Sequence, residues 1–103
     1  MRILKFSQAD CKACDDLAAR LEEEDIEIME YEDETNYAVK QRGVFEVMYE
    51  DNADLFQQYG VRVTPTMVAE NLWGKEKRRL SGNPKTDEEL GSFLWDAEDD
   101  YLR

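Results

Sequence analysis

The chain has 103 residues with 25 acidic and 13 basic side chains, which give a net charge of −12 at pH 7. This charge argues against nucleic acids and anionic membranes as direct partners, because phosphate groups are bound by clustered Lys and Arg. The length predicts one domain over residues 1–103, and the sequence has neither a secretory hydrophobic region nor an apolar run long enough to span a membrane. We therefore expect a soluble, cytoplasmic monomer.

The first part of the chain predicts a strand, a helix and a second strand. Residues 2–7 have apolar character on both sides, as in a central parallel strand. Residues 11–24 carry apolar side chains at helical spacing, and residues 26–31 predict the second strand. A strand–helix–strand unit of this length predicts parallel pairing of its two strands through a right-handed crossover.

The segment 33–49 has the least regular pattern, and we interpret it as an insertion. Its residues 44–49 fit either a further strand or the start of the next helix, and both interpretations stay open. A short helix is predicted over 52–59, and Asp51 or Asn52 is expected to cap it because short polar side chains accept hydrogen bonds from the first turn.

The second half of the chain predicts a hairpin and a final helix. Residues 66–70 and 76–81 form the two antiparallel strands. Thr86 and Glu89 form a capping box, after which apolar residues recur at helical spacing: Leu90, Phe93, Leu94 and Ala97. Residues 98–103 form an acidic tail that we expect to fray. The order β-α-β-α-β-β-α predicts a compact α/β fold with a four-stranded mixed sheet flanked by helices.

Cys11 and Cys14 are the two cysteines of the chain and lie where the first strand gives way to the first helix. Residues three apart on a helix share one face, so the two thiols can close a small disulfide. The positive end of the helix dipole is expected to lower the pKa of the Cys11 thiol, and the thiolate is the nucleophile. Cys14 shares a buried stripe with Leu17 and is expected to be the resolving thiol.

The cysteine pair has two other interpretations. A structural zinc site needs four ligands, and two cysteines in a chain without histidine do not supply them, so we expect no metal. An inert pair is the stronger alternative, and the spacing alone does not decide against it. In a cytosolic protein, a lone CxxC motif is more often catalytic than structural.

Three segments together resemble the thioredoxin superfamily over residues 2–97. The CKAC motif follows a strand and opens a helix. Residues 59–66, YGVRVTPT, are similar to the helix end, loop and proline-led strand of thioredoxins. Gly82 and the segment 84–90, PKTDEEL, are similar to the glycine and final helix of that family. The resemblance implies a thioredoxin-like fold.

The resemblance also implies a substrate-binding segment formed by Val63, Thr64 and Pro65. It implies that Pro65 follows a cis peptide bond and packs against the cysteines, since the Thr64–Pro65 dipeptide alone does not predict one. The backbone at Thr64 would then be free to pair with an extended peptide or with glutathione.

The chain departs from the family pattern at several positions. It begins directly at the strand before the cysteines, as in a glutaredoxin or a compact phage or bacterial thioredoxin. Lys5 stands where thioredoxins have a buried acid, Asp10 replaces the aromatic residue before the first cysteine, and Lys12 and Ala13 replace the usual inner residues of the motif. We expect Asp10 to raise the pKa of the Cys11 thiol, and Lys12 and Lys5 to lower it.

The function implied by the resemblance is that of a thiol-disulfide oxidoreductase. Its substrates would be protein disulfides, including that of ribonucleotide reductase, and its electrons would come from a thioredoxin reductase or from glutathione. No cofactor is expected beyond the redox-active disulfide. The alternatives are a glutathione-dependent glutaredoxin and a redox-independent binding subunit with a thioredoxin fold.

Overall fold

The computed structural model describes residues 1–34 and 37–103. Their strands and helices follow one another as β1 (Arg2–Ser7), α1 (Lys12–Glu23), β2 (Ile28–Glu30), β3 (Gly43–Met48), α2 (Tyr49–Tyr59), β4 (Thr66–Glu70), β5 (Glu76–Ser81) and α3 (Asp87–Asp100). The strands form one mixed sheet in the order β2-β3-β1-β4-β5. No helix in the described part of the chain is long and apolar enough to cross a membrane.

Strand β1 occupies the centre of the sheet, and all six of its residues are buried. It pairs in parallel with β3 and antiparallel with β4, so that Phe6 lies between Val47 and Thr66. The sequence predicted a central strand from apolar residues on both of its sides, and the order of the sheet confirms this position. The C-terminal end of β1 leads directly to the cysteine motif.

The sheet has five strands, whereas four were predicted. The second strand is shorter than the predicted 26–31 and lies at the sheet edge, where it pairs with β3 and not with β1. The segment 33–49, interpreted as an insertion, contains β3, which lies between β2 and β1. Val44, Phe45 and Val47 of this strand are buried, which accounts for its central place. Residues 35 and 36 of the segment lie outside the described residues.

Helices cover both faces of the sheet. Helices α1 and α3 pack on one face, where Ile3 of β1 joins Leu17, Leu21, Leu90 and Phe93. Helix α2 covers the other face and buries a second cluster, whose members are Leu4, Phe6, Phe45, Val47, Phe56 and Val68. Because side chains alternate along a strand, the next residues on the α1 side of β1 after Ile3 are Lys5 and Ser7.

Helix α2 begins earlier than predicted. It starts at Tyr49, directly after β3, with Met48 as an N-cap that makes no side-chain hydrogen bond. The expected cap at Asp51 or Asn52 instead falls inside the element, where Asn52 has non-helical backbone angles and donates from its amide to the Met48 carbonyl oxygen. The two open interpretations of 44–49 are thus both met in part, since the strand ends at Met48 and the helix begins at Tyr49.

The final helix is held at both ends. The Thr86 hydroxyl accepts a hydrogen bond from the Glu89 backbone N–H at 3.1 Å, which confirms the predicted cap. At the other end, α3 continues to Asp100, and Tyr101 is only 5% exposed. The Tyr101 hydroxyl donates to the Lys40 carbonyl oxygen at 2.6 Å. The acidic residues 98–100 thus belong to α3 rather than to a separate tail, and Tyr101 packs onto the fold.

Candidate active site

The disulfide between Cys11 and Cys14 lies at the junction of β1 and α1. Cys11 is the N-cap of α1 and has extended backbone angles, whereas Cys14 lies in the first turn. The Cα atoms are 5.2 Å apart. Cys14 is 3% exposed and continues the buried stripe of Leu17 and Leu21, while Cys11 is half-buried. Cys11 is therefore the more exposed of the two cysteines.

The Cys11 sulfur faces the free N–H groups of the first turn. The Cys14 backbone N–H donates to Cys11 Sγ at 3.1 Å. A donor aimed at a sulfur stabilises the thiolate more than the neutral thiol, and the positive end of the helix dipole acts in the same direction. The fold thus favours a nucleophilic Cys11 once the disulfide is reduced.

The segment that precedes β4 lies against the disulfide. The Thr64–Pro65 peptide bond is cis, in agreement with the expectation from the resemblance. Thr64 Oγ1 is 3.8 Å from Cys11 Sγ, although the two residues are 53 positions apart in the chain. The Thr66 hydroxyl donates to the Val63 carbonyl oxygen at 2.7 Å and fixes the turn, while the Val63 side chain is 53% exposed.

The loop after β5 joins the two sides of the site. The Gly82 N–H donates to the Pro65 carbonyl oxygen at 2.7 Å, and Gly82 takes a left-handed conformation with φ of 79°. The next residue, Asn83, donates from its side-chain amide to the Ala13 carbonyl oxygen at 2.9 Å. Sequence reasoning identified Gly82 but missed Asn83, whose role depends on where the loop lies relative to α1.

Solved structures of similar fold include thioredoxins and another thioredoxin-fold protein. A thioredoxin of Malassezia sympodialis, Mala s 13, superposes with a TM-score of 0.61 at 13% identity over 98% of this chain and 75% of that chain. Thioredoxin 1 of Thermosipho africanus gives a TM-score of 0.59 at 16% identity, covering 95% of this chain and 99% of that one. A thioredoxin-fold protein of Helicobacter pylori gives 0.60 at 17% identity, covering 97% and 70%.

The chain has the thioredoxin fold. At these identities the likeness is one of fold. No protein-family model and no curated protein matches the sequence.

Lys5 lies in the interior of this thioredoxin fold, on the face of β1 that α1 covers. It is fully buried, and its ammonium group donates to Glu46 Oε2 and to Ser7 Oγ, each at 2.6 Å. The Ser7 hydroxyl also lies 3.2 Å from Glu46 Oε2. Glu46 is the direct neighbour of Lys5 across the β1–β3 pair. The layer beneath α1 thus contains an acid, Glu46, but this acid lies on β3 and not on β1, where Lys5 stands.

Sequence reasoning missed Glu46 because its segment was interpreted as an insertion. Had β3 been recognised, Glu46 would have been visible as an acid placed among Val44, Phe45 and Val47 in a buried strand. An acidic side chain at a half-buried position in such a strand usually has a specific partner.

The other charged residues expected to act on Cys11 are Asp10 and Lys12. Asp10 is exposed and has a positive φ of 54°. The side chain of Lys12 is 88% exposed and forms an ion pair with Asp16 at 3.0 Å, one helical turn further along. Neither side chain bonds to a cysteine among the described contacts. Within residues 1–34 and 37–103, no cluster of three or more Cys, Asp or Glu side chains is arranged to hold a metal ion.

Proposed function

We propose that the chain is a thiol-disulfide oxidoreductase that reduces disulfide bonds of other proteins. The observation that carries the proposal is the position of the Cys11 sulfur, which caps a helix and also contacts Thr64 beside the cis Pro65. This position gives the sulfur both thiolate stabilisation and an adjacent extended segment with which a substrate can pair.

The first step consumes the substrate disulfide. The Cys11 thiolate attacks one substrate sulfur, a mixed disulfide forms, and the other substrate sulfur leaves as a thiolate that takes a proton from solvent. The Cys14 thiolate then attacks the Cys11 sulfur and releases the second substrate thiolate. The cysteine pair is oxidised by two electrons to the disulfide, and the substrate disulfide is reduced to two thiols.

The second step requires Cys14 to lose its proton while it is buried. Ile3 packs against Leu17 and Leu21, and Cys14 precedes Leu17 by one turn, so Cys14 lies towards the part of β1 that holds Lys5 and Ser7. We assign the Glu46 carboxylate as the proton acceptor, reached directly or through the Ser7 hydroxyl. The Lys5 ammonium group lies in the same layer and stabilises the thiolate that forms.

The disulfide that forms in each reaction cycle must be reduced again by an electron source. A thioredoxin reductase or glutathione would return the disulfide to the dithiol, and a cytoplasmic location would supply either reductant. The disulfide of ribonucleotide reductase belongs to the substrate class expected from the resemblance. Assays with each reductant separately decide between a thioredoxin-type and a glutaredoxin-type activity.

Reduction of insulin disulfides tests the proposed function. Cys11→Ser should abolish the activity, because no other thiol reaches the surface at this site. Cys14→Ser should retain the first step and accumulate a mixed disulfide with insulin, which non-reducing electrophoresis detects. A Cys11→Ser variant with full activity, or a wild type without activity towards any disulfide, would exclude the mechanism.

A further inference from the structure

An open cavity of about 710 Å³ lies between α2, the segment after β2 and the turn that joins β4 to β5. None of the described residues that line it belongs to the cysteine motif or to residues 63–65. A cavity of this size can take a small molecule, or one side chain together with its flanking backbone. It is therefore a candidate binding site separate from the active site.

The guanidinium group of Arg2 lies in the lining of this cavity and is 3% exposed. Its Nε donates to Glu70 Oε1 at 3.0 Å, and its Nη1 donates to Glu34 Oε2 at 3.3 Å and to the Gln41 carbonyl oxygen at 3.0 Å. The third nitrogen, Nη2, donates to none of the described residues. A buried donor without an acceptor is costly, so this nitrogen is available to an oxygen atom of a ligand.

Carboxylates outnumber cations around the cavity. Its described lining contains five carboxylates and only two cations, Arg2 and Lys40. Two of the carboxylates, those of Asp51 and Asp54 on α2, are exposed and form no ion pair with a described residue. A guanidinium group from outside can pair with such carboxylates through parallel hydrogen bonds. The lining therefore favours a cation whose oxygen atoms are uncharged.

The indole ring of Trp73 forms another wall and is 62% exposed. Its turn is fixed by the Asn71 side-chain oxygen, which accepts hydrogen bonds from the backbone N–H groups of Trp73 and Lys75, each at 3.0 Å. The face of an indole attracts a cation, and the planar guanidinium group of arginine is its most frequent partner. An exposed indole held beside unpaired carboxylates is thus suited to bind a guanidinium group.

We propose that this cavity binds an arginine residue of a partner polypeptide. The guanidinium group pairs with Asp51 and Asp54 and stacks on Trp73, and a backbone carbonyl oxygen of the same residue accepts from Arg2 Nη2. A free amino acid would bring a carboxylate into a lining that is already negative, which favours a residue within a chain. The net charge of −12 attracts a basic partner at long range. This site does not depend on the proposed function.

Two short peptides that differ at one residue test the proposal. The probe is acetyl-Gly-Arg-Gly amide, and its neutral control is acetyl-Gly-Gln-Gly amide. Binding is followed by the NMR signal of the Trp73 indole N–H, with the exposed Trp95 on α3 as the internal reference. We expect the arginine peptide to shift the Trp73 signal alone and saturably, and the glutamine peptide to leave it unchanged.

The double variant Asp51→Asn with Asp54→Asn should raise the Kd of the arginine peptide about tenfold, because hydrogen bonds to charged groups are lost. Its matched control is Glu22→Gln with Glu23→Gln, which removes the same charge from exposed positions on α1, outside the cavity. A control variant that raises the Kd as much would show that only the net charge matters, and the inference would be wrong. An unchanged Kd in the Asp51 and Asp54 variant would likewise overturn it.

The contact with Arg2 is tested by changing the ligand, because Arg2 also neutralises Glu34 and Glu70 and its replacement would disturb the fold. Butylguanidinium carries the same charge as the peptide but has no carbonyl oxygen, and it should bind several-fold more weakly. Equal Kd values would exclude the bond to Arg2 Nη2. L-arginine presents a carboxylate in place of the amide carbonyl, and tighter binding of this free amino acid would overturn the assignment to a polypeptide. Equal shifts with the arginine and glutamine peptides, or no saturable shift with either, would exclude the site.

Discussion

The Lys5 ammonium group lies 2.6 Å from a carboxylate oxygen of Glu46, its direct neighbour on β3. The lysine side chain is fully buried, whereas the glutamate side chain is 33% exposed. A buried cation destabilises a fold unless it is paired, so each charge here depends on the other. The pair also lies on the face of the sheet that α1, the helix of Cys14, covers.

We predict that substitutions of Lys5 and Glu46 change the free energy of unfolding in a strongly non-additive way. Glu46→Gln leaves the Lys5 charge buried and should lower the free energy of unfolding by about 3 kcal/mol, the low end for a broken buried pair because Glu46 is partly exposed. The double variant Lys5→Met with Glu46→Leu should recover most of that loss. Urea denaturation measures the wild type, Glu46→Gln, the single variants Lys5→Met and Glu46→Leu, and the double variant.

A control for the lysine itself is Lys12→Met, which removes an exposed pair with Asp16. This variant should lower the free energy of unfolding by no more than about 0.5 kcal/mol, as for other ion pairs between residues four apart in a helix. A double variant that loses as much unfolding free energy as the single variants Lys5→Met and Glu46→Leu lose together would show that Lys5 and Glu46 do not interact.

We predict that Glu46→Gln slows the second chemical step and leaves the first step unchanged. Glutamine cannot accept the proton of Cys14, so release of the substrate thiol from the mixed disulfide should slow about tenfold, as expected for the loss of a general base at the low end of its range. Stopped-flow measurement of a chromogenic thiol released from Cys11 follows this step. The dependence of its rate on pH should become steeper, since hydroxide must then take the proton.

Stability does not explain such a result, because a structural defect at Glu46 would slow both steps. Ser7→Ala tests whether the hydroxyl relays the proton. A second step that Ser7→Ala slows as much as Glu46→Gln indicates the relay, and one that it leaves unchanged indicates direct transfer to Glu46. Equal rates of the second step in wild type and Glu46→Gln would remove the glutamate from the mechanism.

The cysteine pair could be predicted from sequence because its determinants are local. A spacing of three residues, the stripe of Cys14, Leu17 and Leu21, and the preceding apolar strand are all visible within twenty-odd positions of β1 and α1. The segment around Pro65 was recognised only through resemblance, since nothing local brings Thr64 to Cys11.

Glu46 and Asn83 could not be predicted because their partners are distant in the chain. Glu46 meets Lys5 through the register of β1 with β3, 41 positions apart, and Asn83 meets Ala13 across 70 positions. Strand β3 itself was obscured because it is apolar on both faces and runs directly into α2 at Tyr49. A short buried segment of that kind fits a strand and a helix equally well.

We predict that Asn83→Ala impairs catalysis more than stability. The amide of Asn83 donates to the Ala13 carbonyl oxygen, but its own carbonyl oxygen is buried without a hydrogen-bond partner among the described residues. Removal of the side chain thus loses one hydrogen bond and relieves one unsatisfied acceptor, which should cost about 0.5 to 1 kcal/mol of unfolding free energy. The hydrogen bond that joins the cysteine motif to the loop after β5 is also lost. The motif is then held less firmly, so kcat/KM for insulin reduction should fall several-fold.

The exposed neighbour Lys85 provides the matched control in the same loop region. Lys85→Ala should change neither the unfolding free energy nor kcat/KM, because its side chain makes no described contact with α1. An Asn83→Ala protein with the wild-type kcat/KM would show that the bond to Ala13 does not position the motif.

We predict that the Glu76–Arg79 pair contributes to the acid sensitivity of the fold. The Arg79 guanidinium group donates two hydrogen bonds to the Glu76 carboxylate, at 2.7 and 2.8 Å, and lowers the pKa of that carboxyl below its usual value of 4.5. A carboxyl with a lowered pKa in the folded state stabilises the protein above the usual value, and this contribution is lost as the pH falls through the lowered one. Glu76→Gln should therefore flatten the fall in unfolding free energy below pH 4.5.

The pair is partly exposed, so we expect it to contribute less than about 1 kcal/mol to the free energy of unfolding. Glu27→Gln is the matched control, since Glu27 is exposed and has no ion pair among the described residues. Urea denaturation at a series of acidic pH values measures both variants. Parallel curves for Glu76→Gln and wild type over the whole acid range would contradict the prediction.

We predict that the bond between Tyr59 and Glu70 makes the fold sensitive to alkaline pH. The Tyr59 hydroxyl donates to Glu70 Oε2 at 2.5 Å, and Glu70 is only 1% exposed. Burial and this hydrogen bond raise the pKa of the Tyr59 phenol well above its usual value of 10.0. The unfolded chain loses this proton near pH 10, so the stabilisation is fully present below that pH and is lost as the pH rises through the raised value.

Tyr59→Phe should lower the unfolding free energy at neutral pH by about 1 to 3 kcal/mol, because one oxygen of a buried carboxylate loses its donor. The variant should also show a smaller further loss above pH 10 than the wild type, since the phenol that drives the loss is gone. Tyr37→Phe, which removes a hydroxyl from a side chain that is 67% exposed, is the matched control. If Tyr59→Phe and wild type lose stability in parallel above pH 10, the alkaline sensitivity arises elsewhere in the fold.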